Sequence, residues 1–537
     1  MRVMELTGEH AARTQSGWSL RRHLFRIVIP AYPAFNIYSA IARKTSAFGP
    51  IYIATVASQM AGWNVEVIDE NNYRRPGPKD RSGRPDHGVL QKIRHADFVG
   101  FYGGLTSTIP RVYELAALYK SQGVTTIAGG QHFVQGNIKE ALDNGVDFVV
   151  IGEAEETIME LLDVLGSNRD PATIAGIAFV RDGRAIQTAD RAPLIDSDKL
   201  RLPDFSLLRY TKIKVYPVSW VRGCAMSCEF CTVKGKARYP APEYVLEQIA
   251  ALLERYNARH FFMVDDLFGQ NRATTLYLCR LLEEYQQAIG IRIDITVQIR
   301  LDKARDTELL QSMRRAGINK VAIGFESPIP EELAAMKKRV NPEEMLGMTR
   351  LFHEAGFLVH GMFIFGYPLP YRASLSMTAR ERVRRFRAFI RRARIDTVQI
   401  LLPVPLPGTE LTGRLAAQNR IFPIDCVGWE YYDGNFPLFH PDEPLTPEEM
   451  QVAIRTIMGR FYRFRHVLMI PLNILAFPAI VFSLHNISLG WRKWYRLWRN
   501  ELLRFTGWIV MRKWTSELRK GDFSRKLAQA KERFLRQ

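Results

Sequence analysis

Short apolar runs of β-forming residues alternate with amphipathic helical stretches along this chain, and the alternation runs twice. In the first pass residues 25–30, 64–69, 97–103, 124–129 and 147–151 read as buried parallel strands. Helical patterns near 48–62, 110–122, 135–144 and 154–166 separate them. Strands joined through helices must run parallel, so this part predicts a doubly wound sheet with its ligand crevice beyond the carboxyl ends of the strands. A second pass follows, with strands predicted at 216–221, 260–264, 292–300, 320–326, 358–365 and 397–402. Six βα units make a partial barrel, whose chemistry belongs again at the strand carboxyl ends. Between the two passes, residues 175–188 read as a hairpin turning at Asp182-Gly183, and 189–215 as a linker. The fold class is therefore α/β. The division expected is a flexible polar N-terminus (1–22), a doubly wound domain (23–166), hairpin and linker (167–214), barrel (215–412) and a basic helical extension (413–537).

Immediately after the first barrel strand stand three cysteines, Cys224, Cys228 and Cys231, in the spacing C-x3-C-x2-C. Three thiolates on one short loop can hold three irons of a 4Fe–4S cluster and leave the fourth iron open. The spacing is too tight for a disulfide framework, and a fourth ligand for a closed zinc site is missing nearby. Cys279 and Cys426 stand alone in apolar surroundings and read as buried structural thiols. Five cysteines, three of them given to one site, imply a reducing cytoplasm. Residues 1–22 carry no apolar stretch of the kind a secretory signal has.

The strand-end loops of the first pass are rich in small residues: Gly103-Gly104 with Thr106, Ser107 and Thr108, then Gly129-Gly130 with His132, then Gly152-Glu153 with Glu155. Glycines let a backbone approach a ligand, and hydroxyls supply adaptable hydrogen bonds. The first strand is not followed by G-x-G-x-x-G, which argues against a dinucleotide.

Taken with "GLTST", "GGQH" and "VIGEAEET", this first part resembles the cobalamin-binding domain that precedes many radical SAM enzymes, and residues 215–412 resemble a radical SAM core. The D-x-H-x-x-G signature that brings a histidine to cobalt is absent, so the resemblance implies a base-off corrinoid. His132 and His95 read as ordinary loop or surface histidines. The resemblance implies Thr106, Ser107, Gly129, Gly130, Gly152 and Glu153 as cobalamin-binding residues and Cys224, Cys228 and Cys231 as cluster ligands. S-adenosylmethionine would chelate the open iron and yield a 5′-deoxyadenosyl radical. Phe230 matches the aromatic that lies against adenine. Asp265 and Asp266 in "MVDDLFG" match groups presented to the SAM amino end, where a carboxylate suits an ammonium, although Asp266 also suits a helix N-cap. Gln298 and Arg300 could reach the SAM ribose or carboxylate, and Gly324 and Glu326 in "AIGFES" match the segment lining the same site.

The net charge of +19 is uneven. Residues 451–537 hold 18 Lys and Arg against 4 Asp and Glu. Beside this charge, residues 467–484 run without a charged group, interrupted by Pro471 and Pro478, barely long enough to span a bilayer. Trp491, Trp494 and Trp498 then recur among Arg492, Lys493, Arg496 and Arg499. Tryptophan interleaved with basic residues is the composition of an interfacial anchor, so 467–514 is expected to meet an anionic membrane surface on its cytoplasmic side. A helical cap packed on the barrel is the alternative. Nucleic acid is a poor partner for an uncharged run of this length. The eight arginines between Arg380 and Arg394 read as a solvated helix face.

The family resembled includes hopanoid methylases and the anaerobic magnesium-protoporphyrin ester cyclase. It implies a 4Fe–4S cluster, S-adenosylmethionine and cobalamin, an electron donor such as flavodoxin or ferredoxin, and methylation of an unactivated carbon of a lipid-like or membrane-derived substrate. Radical coupling, cyclisation or oxidation without methyl transfer is the alternative. A tRNA methylthiolation role would bring further cluster cysteines ahead of Cys224, and residues 1–223 contain none.

Overall fold

The structure is a computed structural model that describes residues 23–193, 200–233, 235–338, 340–370, 375–477 and 487–535. Its first sheet is built from β1 (His23–Ile29), β2 (Trp63–Asp69), β3 (Phe98–Tyr102), β4 (Thr125–Gly129) and β5 (Phe148–Val150), all parallel, in the order β5-β4-β3-β1-β2. The order reverses between β1 and β3, which opens a crevice at their carboxyl ends. Both faces are covered. Helices Phe48–Ala57 and Glu155–Gly166 lie on the side of Phe25 and Ile27, while Ile109–Lys120 and Gly136–Asp143 lie on the side of Leu24 and Val28. The hairpin β6 (Ile177–Arg181) and β7 (Arg184–Gln187) does not stand apart as a connector. It adds antiparallel to β5 and protects that edge, and β8 (Leu208–Arg209) extends the opposite edge.

The second sheet runs β9 (Tyr216–Val218), β10 (His260–Met263), β11 (Asp294–Gln298), β12 (Ile318–Glu326), β13 (Leu358–Ile364) and β14 (Thr397–Leu401), parallel and in sequential order. Helix starts are set by side chains that accept otherwise unpaired backbone N–H groups: Asn271, Asp306 and Thr378, the last with Glu381 in a reciprocal capping box. Six strands leave β9 and β14 as free edges. The phenol of Tyr462 exchanges two hydrogen bonds with Val398 of β14, at 2.8 and 2.7 Å. The loop after β1 covers the open side: Gln399 of β14 donates to the Tyr38 hydroxyl, and the Lys44 carbonyl accepts from Lys214 and Val215, just ahead of β9. A segment of the first unit thus closes the barrel of the second.

The extension comprises helices Pro447–Phe461, His466–Leu475, Ile487–Lys520 and Phe523–Leu535. Trp514 and Met511 are buried in the barrel core and Trp508 packs against it, so these tryptophans serve the barrel and not a surface. Helix His466–Leu475 folds back on the long helix, with the Trp494 indole donating to the Ile474 carbonyl at 3.3 Å. Residues 478–486 and the side chains of Trp491, Arg492, Lys493 and Arg496 lie outside the described residues, as does the 1–22 segment. Among the described residues no helix is long and apolar enough to cross a membrane.

Candidate active site

The cysteine loop leaves β9 at Val218. That strand ends earlier than the expected 221 because the Trp220 N–H donates to Asp265 Oδ1 at 2.7 Å instead of continuing a ladder. Arg222 and Arg238 exchange backbone hydrogen bonds at 3.1 and 2.9 Å and close the loop's neck. Gly223 sits in that neck at φ 84°, where a Cβ would lie 2.7 Å from the Lys236 carbonyl, so only glycine fits. Cys224, Cys228 and Cys231 form no disulfide and are half-buried, whereas Cys279 is fully buried in the barrel core and Cys426 only half-buried near Arg533.

Burial, and then the charges of Asp266 and Cys228, push the Cys224 thiol up. Cys231 is raised by burial and by Cys228, Asp266 and Cys224, while the Val233 N–H, 3.4 Å from its sulfur, opposes the shift. The three sulfurs therefore feel one another, and a bound cation would reverse this unfavourable pairing by deprotonating them. Among the described residues no three His, Cys, Asp or Glu side chains converge on a single ion. Three thiols without a fourth donor fit a four-iron cluster with one open iron and do not fit a closed zinc site.

A residue between the cysteines holds the loop down. Glu229 is buried and accepts from Tyr367 Oη at 2.6 Å, Arg414 Nε at 2.6 Å and Arg414 Nη2 at 3.0 Å. Its backbone carbonyl receives the Leu411 N–H at 3.1 Å. Sequence reading missed this anchor; an acidic residue inside the cysteine run was its one local sign. Arg414→Met leaves the Glu229 carboxylate buried with Tyr367 alone. We expect a loss of about 3 kcal/mol in chemical denaturation, since removing one partner strands a buried charge. Reconstituted iron should also be lost faster to a chelator.

The two aspartates of "MVDDLFG" separate. Asp265 is 3% exposed, binds Trp220 and Ser219, and is raised to about 7 by burial, with its Oδ2 left unpartnered. Asp266 is exposed beside the thiols. Neither caps the following helix, because Asn271 does. Gln298 donates to the Asp265 carbonyl at 3.3 Å. Arg300 is exposed, paired with Asp302 at 2.8 Å and lying 2.9 Å from Met226 of the cysteine loop. Glu326 adopts φ 60° and folds back over Gly324, where a Cβ would meet its Oε1 at 2.4 Å, and it pairs with Lys338 at 3.1 Å. Phe230 is half-buried, edge to face with Tyr367 at 6.0 Å.

Opposite this loop the first sheet carries a cavity of about 420 Å³. Its walls are apolar, from Phe25, Ile27, Tyr102, Ile127, Val150 and Ile158, and Gly129, Gly130, Gly152 and Glu153 form its rim. Gly49 and Gly100 leave it wide: a Cβ on Gly100 would sit 2.9 Å from the Phe25 ring. An apolar slot between sheet and helices with a glycine rim fits the expected corrinoid. Thr106 and Ser107 do not line it. They lie buried in the turn Thr106–Thr108, where Thr106 Oγ1 is 3.4 Å from His132 Nδ1. His132 is buried under Trp429, with its ring centroid 4.9 Å away, and burial lowers its pKa to about 4; His95 is exposed. Among the described residues the cavity lining contains no histidine.

The two sites are locked face to face. Arg222 pairs with Glu155 at 2.5 Å and approaches Glu153 at 3.7 Å, Arg238 pairs with Glu153, and Thr232 donates to Gln131 at 3.2 Å. Ser219 and Arg222 line the first-sheet cavity themselves.

The radical SAM superfamily model matches residues 218–380 and the B12 binding domain model residues 40–162. The chain is 25% identical over 440 residues to an uncharacterized methyltransferase of Pyrococcus horikoshii, covering 79% of this chain and 90% of that one. It is 23% identical over 461 residues to the anaerobic magnesium-protoporphyrin IX monomethyl ester cyclase of Rubrivivax gelatinosus (81% and 78%). Against the hopanoid C-2 methylase of Rhodopseudomonas palustris it is 28% identical over 239 residues (44% and 43%). Its fold matches the radical S-adenosylmethionine methyltransferase TsrM of Kitasatospora setae, solved with cobalamin and a [4Fe-4S] cluster, at a TM-score of 0.58 and 17% identity, over 74% of this chain and 75% of that one. The chain belongs to the radical SAM enzymes that carry a cobalamin-binding domain, whose cofactors are a 4Fe–4S cluster, S-adenosylmethionine and cobalamin.

Proposed function

We propose that this enzyme methylates an unactivated carbon of a lipid-like or membrane-derived substrate. The observation that carries the reading is the clamp of Glu153 and Glu155 on Arg222 and Arg238, which puts the cavity of the first sheet and the cysteine loop on one shared space. When bound, the cluster supplies the electron that cleaves S-adenosylmethionine, and cobalamin supplies a methyl carrier. Cys224, Cys228 and Cys231 hold the irons. Asp266 stands at the loop's open side and receives the SAM ammonium, while Asp265 positions Trp220 and through it the loop. Glu326 with Lys338, Gln298 and Arg300 border the SAM site, and Phe230 offers its half-buried ring to adenine. Gly129, Gly130, Gly152 and Glu153 rim the corrinoid cavity. Residues 23–166 form the corrinoid unit, 215–412 the radical unit, and 413–537 a helical extension that packs on the barrel and associates with the membrane through its exposed apolar helix.

The lipid substrate is supported by the hopanoid methylase among the relatives and by exposed Leu468, Leu472 and Leu475, 57–76% exposed, beside a basic extension. Cyclisation or oxidation without methyl transfer is the second reading, favoured by the long match to the ester cyclase. Anaerobic reconstitution with iron, sulfide and hydroxocobalamin, followed by SAM carrying a deuterated methyl group and a membrane lipid extract, separates them. Near one cobalt and about four irons per chain, with a labelled lipid gaining one methyl, is the expected result. SAM cleavage with no retained cobalt and no transferred label overturns methylation.

A further inference from the structure

One groove of about 660 Å³ on the far side of the barrel takes eight of its fourteen lining residues from arginine, over an apolar floor that includes Ile390, Ile395, Ile457 and Phe461. Helix Ala379–Arg392 and the residue two beyond it contribute Arg384, Arg387, Arg391 and Arg394. The end of helix Pro447–Phe461 and the turn after it add Arg460, Arg463 and Arg465, and the long helix adds Arg504. The arginine run therefore differs from a plain solvated face: Arg382 points inward to a buried pair with Glu332 at 2.8 Å, and others converge with arginines from two more helices.

No carboxylate lines the groove among the described residues. The ion pairs that its arginines make are long, Arg384 with Glu381 and Arg504 with Glu501, both at 3.9 Å, while Glu501 is held by the groove-lining His466. Arg504 also keeps a buried Nε without a partner. Burial and the charges of Arg460, Arg463 and Arg391 hold Arg387 below its ordinary value, so these cations repel one another as they stand. The groove runs directly into helix His466–Leu475, whose Leu468, Met469, Leu472 and Leu475 are 40–76% exposed.

We propose that this groove binds the phosphate groups of anionic phospholipids and docks the enzyme on a membrane, with the exposed leucines of His466–Leu475 entering the headgroup layer. It rests on the reading that the extension meets lipid, and adds a site built mainly from arginines outside residues 467–514. Guanidinium forks match phosphate oxygens bidentately, and an apolar row beside them suits a lipid surface better than a free anion or a nucleic acid.

The reconstituted enzyme should sediment with phosphatidylcholine vesicles containing phosphatidylglycerol, not with phosphatidylcholine alone, and half-molar salt should release it. Arg387→Gln/Arg391→Gln/Arg460→Gln should weaken this binding about a hundredfold. Arg81→Gln/Arg255→Gln/Arg350→Gln, an equal charge loss at exposed sites elsewhere, should change it less than threefold. An Arg→Lys version of the groove triple should recover part of the loss, and melting curves check that each variant folds. Groove and control triples that weaken binding equally overturn the proposal. A groove triple that binds like wild type while Leu468→Ser/Leu472→Ser/Leu475→Ser does not bind overturns the groove and spares the membrane reading. A wild-type enzyme that ignores vesicles overturns both, and inorganic phosphate binding in titration calorimetry then identifies a soluble anion as the ligand.

Discussion

Alanine at Cys224, Cys228 or Cys231 lowers 5′-deoxyadenosine formation from SAM more than a hundredfold. In the proposed arrangement each thiolate would hold a different iron, and losing one would open the cluster to solvent and leave its set of ligands incomplete. Iron and visible absorbance near 400 nm should fall with activity, while the melting curve stays close to wild type, because all three side chains are only half-buried. Cys279→Ala and Cys426→Ala supply the contrast. Cys279 sits in the barrel core, where burial raises its thiol to about 12, and Cys426 lies against the terminal helix. Neither should change iron content. A Cys228→Ala protein that keeps wild-type iron and SAM cleavage would sink the ligand assignment.

Gly49→Phe should abolish cobalamin retention while leaving the fold intact. Gly49 lies in the first turn of helix Phe48–Ala57 and lines the first-sheet cavity, and a Cβ built there has only the Tyr102 ring at 4.0 Å. The position is helical, so a larger side chain brings no backbone strain and removes a glycine from a helix. Its ring would occupy part of a cavity of about 420 Å³. Cobalt per chain after reconstitution and gel filtration should drop at least tenfold, with about four irons kept. SAM cleavage should persist and methyl transfer stop. Undiminished cobalt in this variant would mean that the corrinoid binds elsewhere.

Much of the frame was legible along the chain. Strands β1–β5 of the first sheet and all six of the barrel lie where the β-runs placed them, within a few residues, because strand and helix periodicity are properties of neighbours in sequence. The cysteine loop was legible for the same reason: its spacing and its place after the first barrel strand need no tertiary information. Where boundaries moved, a distant contact moved them. β9 stops at Val218 since Asp265 takes the Trp220 N–H, and the 175–188 hairpin joins the first sheet since β5 offers an unpaired edge.

What the chain could not announce are contacts between residues far apart in it. Glu229 and Arg414 are 185 positions apart, and Tyr38 and Gln399 are 361. The sequence contains each partner, but a buried carboxylate and its arginine are chosen by topology, through which strand ends face each other. The same holds for the aspartate pair, split into a buried Asp265 and an exposed Asp266, and for Thr106 and Ser107, which the turn after β3 carries away from the cavity. Eight arginines between Arg380 and Arg394 looked like solvated charge, and only the packing of three helices turned four of them into one wall of a groove. Secondary structure and the cysteine spacing from which we propose the iron ligands are local, and the sequence alone determined them. The pairing of charges, the closure of the barrel by the first unit and the meeting of its two sites depend on long-range desolvation and complementarity, which exist only once the chain has folded.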